Sequence, residues 1–141
     1  MRQETARRWL EAACVVTAAV GVGVAVLAFP GTMAATGVLS EVVFGEPGDM
    51  ATPLSRLLAG ITGGVLAGWG VTMWVVVRRL HSQDPGLVSA ILVPGLVVWF
   101  VVDSVASVTS GGALNVVGNV GFLVMFGVPL LADRNRVATS T

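Results

Sequence analysis

Apolar residues in this chain neither alternate nor recur as a stripe. They run on without interruption. Trp9–Phe29, Leu57–Val77, Leu87–Val108 and Ala113–Leu131 are each close to the ~20 residues that a helix needs to cross a bilayer. A soluble core in a chain of 141 residues has no use for four such stretches. The pattern predicts an all-α membrane protein, an antiparallel four-helix transmembrane bundle forming a single domain over residues 1–141. Its spans fall at about 9–29, 54–77, 86–108 and 112–131.

The span ends have their own chemistry. Thr52-Pro53 and Asp84-Pro85 each read as an N-cap followed by proline at the first helical position. Phe29-Pro30-Gly31 closes the first span, and Trp9 sits where an interfacial aromatic anchor belongs. Glu11 lies near the same boundary and can pair with Arg7 or Arg8. Between the first two spans, Met33–Phe44 is mostly apolar and predicts a short helix on the membrane surface or capping the bundle. Gly45-Glu46-Pro47-Gly48-Asp49 after it is turn chemistry.

Charge sets the orientation. Arg2, Arg7 and Arg8 precede the first span, Arg78 and Arg79 join the second to the third, and Arg134 and Arg136 follow the fourth. The loop between spans one and two carries Glu41, Glu46 and Asp49, with Arg56 at its far end. By the positive-inside rule both termini and the 78–86 loop are cytoplasmic, which requires an even number of spans. A signal peptide is the competing reading of the N-terminus, but the apolar run is longer than such a segment's ~7–15-residue core.

Composition narrows the function classes. Hydrophobic residues are 55% and charged residues 11%, and a net charge of zero gives nucleic acid no footprint. One cysteine, Cys14, and one histidine, His81, suffice neither for a zinc site nor for a paired-cysteine redox centre, so no cofactor is expected. Cys14 reads as a small buried hydrophobe and His81 as a solvated loop residue. Trp69, Trp74 and Trp99 read as packing or lipid-facing residues.

Small residues predict the helix contacts. Gly60, Gly64 and Gly68 recur every fourth residue in span two, and Thr17, Gly21 and Ala25 do so in span one. Such stripes let backbones approach closely in lipid, either between these two spans or between two copies of the chain. Pro94-Gly95 lies mid-span three, where proline normally kinks a helix. Pro129 falls in the last turn of span four.

One polar constellation stands out. Asp103 lies inside an apolar span near its outer end, with Ser104 and Ser107 beside it. A carboxylate there is disfavoured by up to about 2.5–3.5 kcal/mol and requires partners. Asn115 and Asn119 share one face at the outer end of span four, and Arg56 begins span two at similar depth. The expectation is that Asp103 pairs with Arg56 and that the two asparagines complete the network. Arg56, Asp103, Ser107, Asn115 and Asn119 thus form a candidate polar cluster or solute site.

Gly68-Trp69-Gly70, Trp99-Phe100 with Asp103-Ser104, and Asn115 with Asn119 give residues 54–131 a resemblance to small four-helix bacterial membrane proteins of unassigned function. The resemblance implies the same fold in a bacterial inner membrane and brings no reaction with it. The functional expectation is a non-enzymatic accessory or structural membrane protein, embedded in lipid and able to form a homodimer or to contact another membrane protein. The alternative is a small-solute or ion transporter or binding protein acting through Asp103. No ligand is specified by the sequence.

Overall fold

Local chemistry sets the helix ends in the computed structural model, which describes the backbone of residues 2–44 and 52–139. Side chains at 30, 33–36, 39, 44 and from 133 onward lie outside the described set. The elements are α1 (Gln3–Val26), one 3-10 turn (Pro30–Thr32), α2 (Met33–Phe44), α3 (Pro53–Leu80), α4 (Pro85–Thr109) and α5 (Asn115–Thr139). Thr52 Oγ1 accepts from the Ser55 N–H at 3.1 Å, and Asp84 Oδ1 accepts from the Leu87 N–H at 2.9 Å. Both predicted N-caps therefore hold one of the free donors of a helix start, with proline next in line. The turn expected over 45–49 lies outside the described residues.

α1, α3, α4 and the Asn115–Ala132 part of α5 are long and apolar enough to cross a membrane. By length and composition the chain is a multi-pass membrane protein. The surface agrees with this. Val15 and Val22 on α1, Val65 and Val71 on α3, Val98 and Val102 on α4, and Val117 and Val124 on α5 are all exposed. Apolar exposure on every helix suits lipid and is foreign to a soluble monomer.

Three boundaries differ from the apolar runs. α1 starts at Gln3, well before Trp9, because Glu4 bonds Arg7 at 3.1 Å and Arg8 at 2.8 Å along its first turns. Glu11 extends the same chain of charges to Arg7 at 3.5 Å. α3 continues to Leu80, so His81 is not a solvated loop residue. It is fully buried, its N–H donates to the Val77 carbonyl, and its own carbonyl accepts from Gln3 Nε2 at 3.2 Å. α5 passes through Pro129 and ends at Thr139, which removes Pro129 from the last turn and leaves it fully buried. Likewise α4 runs through Pro94 as one helix. Membrane helices accommodate proline in this way because neighbouring groups take over the freed backbone positions.

α1 and α3 are the most intimate pair, and they pack antiparallel. A Cβ added at Gly21 would lie 2.8 Å from the Ala67 Cα, one at Gly63 would lie 2.7 Å from the Ala25 Cα, and one at Gly70 would lie 2.6 Å from the Ala18 nitrogen. The Thr17–Gly21–Ala25 stripe of α1 thus lies in the seam, with Thr17 buried and its hydroxyl bonded to the Ala13 carbonyl at 2.8 Å. On α3 the expected stripe is corrected. Gly60 touches only Ala28, at 3.5 Å, and Gly64 and Gly68 face open space. The seam runs through Ala59, Gly63, Gly70, Met73 and Val77 instead. Gly64 is turned about 100° from Gly63 around the helix, so it is the azimuth of each glycine and not the regularity of the repeat that decides which of them face α1.

At the Met73–Val77 end of the seam the four long helices share one core. It joins Leu10 and Cys14 of α1, Met73 and Val77 of α3, Leu92 and Leu96 of α4, and Phe126 and Leu130 of α5. The α4–α5 turn is a Schellman motif. Gly111, at φ 85°, takes the left-handed position after the Ser110 cap, the Gly112 N–H bonds the Ser107 carbonyl at 2.8 Å, and the Gly111 N–H bonds the Val108 carbonyl at 3.2 Å.

The two glycine sets separate cleanly by substitution. Gly63→Ala is expected to destabilise the fold by about 1–3 kcal/mol or more through backbone overlap, whereas Gly64→Ala is expected to be neutral or slightly stabilising, since its added methyl meets nothing. Reversible unfolding in mixed micelles measures both, and equal effects would contradict the assigned seam.

Candidate functional site

The tight α4–α5 turn determines which side chains meet. Asp103 and Ser107 are one turn apart on α4, and Asn115 and Asn119 are one turn apart on the returning α5. Asp103 Oδ2 accepts from Asn119 Nδ2 at 2.6 Å and from Asn115 Nδ2 at 3.0 Å. The second proton of each amide goes to a serine on α4, Asn115 to Ser107 Oγ at 2.9 Å and Asn119 to Ser104 Oγ at 3.3 Å. Asn119 is 5% exposed and Ser107 9%, while Asp103 and Asn115 are half-buried. Both asparagines are thereby fully used as donors, and neither amide is left to face hydrocarbon unpaired.

Arg56 is not part of this network. Among the described residues the ion pairs are Arg7 with Glu4 and Glu11, and Arg8 with Glu4. Shared depth does not give shared direction. Ser55, Ala59 and Thr62 mark the face of α3 that looks toward the α4–α5 turn, and Arg56 is rotated about 100° from Ser55. The structure therefore brings together Asp103, Ser107, Asn115 and Asn119 of the predicted cluster and adds Ser104, with amides standing where the guanidinium was expected.

An aromatic layer lies one turn deeper. Trp99 is four residues before Asp103, and Phe122 is three after Asn119. Their ring centroids are 4.8 Å apart, with Trp69 of α3 at 6.1 Å from Trp99 and Phe126 at 5.2 Å from Phe122. These tilted contacts suit aromatic quadrupoles. They separate the polar cluster from the apolar core beyond it. Trp74 stands apart, with the Arg78 guanidinium 4.8 Å above its ring.

On its other side the cluster borders a cavity of about 450 Å³ between the α1 C-terminus, α2, the α3 N-terminus and the α4–α5 turn. Ser107 and Asn115 belong both to the cavity wall and to the Asp103 network. α2 contributes Ser40, which is buried, and Val43. This places part of the predicted short helix over the cavity, with Val38 and Val42 exposed on its other side. Sequence reasoning missed Ser40, Ser55, Thr62 and Ser110 of this wall, because hydroxyls scattered over α2, α3 and the α4–α5 turn leave no pattern along the chain. The signal for the tight turn, Gly111-Gly112 after a serine- and threonine-bearing helix end, was there to be read.

The chemistry that this cluster presents is hydrogen bonding. Ser104 and Ser107 accept from the asparagines and neither is bonded to Asp103, so no nucleophile is paired with a base. Among the described residues no group of three or more His, Cys, Asp or Glu could hold a metal ion. Comparison with family models, curated proteins and solved structures gives no match.

A double-mutant cycle measures the tie. Asp103→Ala and Asn119→Ala should show a coupling of about 0.6–1.7 kcal/mol, the range found for hydrogen bonds between membrane helices. Asp103→Ala with Arg56→Ala should be additive within about 0.3–0.5 kcal/mol. Coupling to Arg56 of the size expected for Asn119 would show that the ion pair forms after all.

Proposed function

We propose that this chain is a non-enzymatic integral membrane protein, an accessory or structural component of a bacterial inner membrane. In this reading it is an antiparallel four-helix bundle with both termini cytoplasmic. Seven of its eight arginines then lie on the cytoplasmic side, and the Asp103 cluster and the α2 segment lie on the outer side. The observation that carries the reading is the tie that Asp103 makes to the neighbouring helix. Its carboxyl oxygen accepts from two asparagines of the neighbouring helix, and an aromatic layer and an apolar core lie beneath it. A polar residue used in this way fixes the register of two helices. A conducting path would need further polar groups below it. Its surroundings are lipid, and Gly64 and Gly68, which open outward, leave α3 able to take a second copy or another membrane protein alongside.

A second reading, a binding or transport protein for a small solute or ion at the same cluster, is favoured by one observation. The cavity shares Ser107 and Asn115 with the Asp103 network.

Two measurements test these readings. In proteoliposomes, Asp103→Asn should lower stability without abolishing any flux that the wild type supports. Loss of a wild-type flux with the fold intact would decide for transport. For orientation, Ser110→Cys and Ser82→Cys are made singly in a Cys14→Ala background. An impermeant maleimide should label the first in intact cells and the second only after permeabilisation, and the reverse result would invert the topology.

A further inference from the structure

We propose that the cavity beside the α4–α5 turn holds the hydroxylated headgroup of an uncharged membrane lipid of the mono- or diacylglycerol type. This rests on the second reading only in placing a ligand beside the Asp103 cluster. It adds the chemical class and does not require transport.

The absence of charge excludes most other lipids. None of the twelve described residues lining the cavity is ionisable. A phosphate or carboxylate headgroup would lose water there with no cation among the described residues of the wall, since Arg56 lies on another face of α3, and such a loss is unfavourable. An ammonium group would find acceptors but would have to give up its hydration for neutral oxygens, and Asp103, whose Oδ2 already accepts from two amides, does not line the cavity among the described residues.

The groups on the wall suit a hydroxyl, which both donates and accepts. Asn115 has spent both amide protons, on Asp103 and Ser107, and its carbonyl oxygen is the acceptor it has left among the described residues. Ser107 Oγ accepts from Asn115 and keeps its proton to donate. Ser110 donates to the Ser107 carbonyl at 3.2 Å and keeps lone pairs to accept. A glycerol headgroup, with hydroxyls on adjacent carbons, can answer donors and acceptors together.

Beside the further hydroxyls of Ser40, Ser55 and Thr62, the apolar part of the wall leads outward. Val24, Leu27 and Leu58 line the cavity. Leu58, Thr62 and Val65 follow one face of α3 at intervals of four and three residues. Leu58 and Val65 are 54% and 68% exposed, so an acyl chain leaving the cavity meets a continuous apolar track along the helix. The cavity, about 450 Å³, accommodates a headgroup and its first methylenes and leaves the chains in the bilayer.

The test is photo-crosslinking of the full-length protein in nanodiscs. Three diazirine probes of equal chain length are used, a monoacylglycerol, a phosphatidylglycerol and an alkyltrimethylammonium, and labelled peptides are mapped by mass spectrometry. The monoacylglycerol should label residues 55–62 and 107–115. Excess unlabelled 1-oleoylglycerol should suppress that labelling at about ten-fold lower concentration than either charged competitor. Thr62→Trp should fill the cavity and abolish the labelling, and the milder Ser110→Val should reduce it several-fold while the protein stays monodisperse. Preferential capture of a charged probe would overturn the lipid class while leaving a binding site at the cluster. Capture of none of the three would overturn this proposal, while the second reading would stand or fall on the flux measured with Asp103→Asn. Labelling that survives both substitutions would place the lipid elsewhere and overturn the assignment to this cavity.

Discussion

Close backbone approach between α1 and α3 is the contact on which the other arrangements depend. In lipid an apolar side chain gains little by leaving its solvent, so helices associate through packing and hydrogen bonds rather than through exclusion. Gly21, Gly63 and Gly70 have backbone atoms of the opposite helix where a side chain would begin. That approach brings Gln3 to His81 at one end of the pair, and Val24 and Leu27 to the start of α3 at the other. The first contact buries a histidine, and the second builds half of the cavity wall. α4 and α5 then meet this pair through a core of Leu, Met, Val and Phe, which is adaptable in shape and carries no directional bonds.

Direction comes from the other pair. Between α4 and α5 the contact is made by hydrogen bonds, and its register follows from the Schellman turn at Gly111. Once the chain reverses within five residues, 110–114, Asn115 must come alongside Ser107, and Asn119 alongside Asp103 and Ser104. The two helix pairs thus use the two means of association that hydrocarbon allows, close van der Waals contact in one and polar bonds in the other. An amide serves better here than the expected arginine. It offers two donors to the carboxyl oxygen and a serine together, with no second full charge to take out of water.

Much of this was legible along the chain, and what was not fails for specific reasons. The four spans, both N-caps followed by proline and the bounds of α2 follow from local composition, and local composition decides them in the structure too. Asp103, Ser107, Asn115 and Asn119 could be grouped because depth along antiparallel helices can be counted. Arg56 was misplaced by the same count, because depth carries no azimuth, and one residue turns a side chain by about 100°. The glycines at every fourth position were misleading in a related way. They form the more regular pattern, but the seam follows Gly63 and Gly70, whose spacing only an actual partner makes meaningful. His81 looked solvated because the apolar run ends before the helix does. The cavity had no signature, since its hydroxyls come from three helices far apart along the chain.

The position of the polar cluster bears on what such a cluster can do. A carboxyl group at the centre of a pathway needs water or polar neighbours on both sides, so that a proton or solute arriving from one can leave by the other. Among the described residues Asp103 has them on one side. Toward the α4–α5 turn lie Ser107, Asn115 and the hydroxyl-lined cavity. Toward the core lie Trp99 and Phe122 in ring contact, and then Leu96 and Phe126. Opening that floor would mean separating the aromatic contacts that hold α3, α4 and α5 together at this level. The side chains that close the path are the ones that join the helices, so the geometry favours a fixed tie with a pocket beside it over a gate.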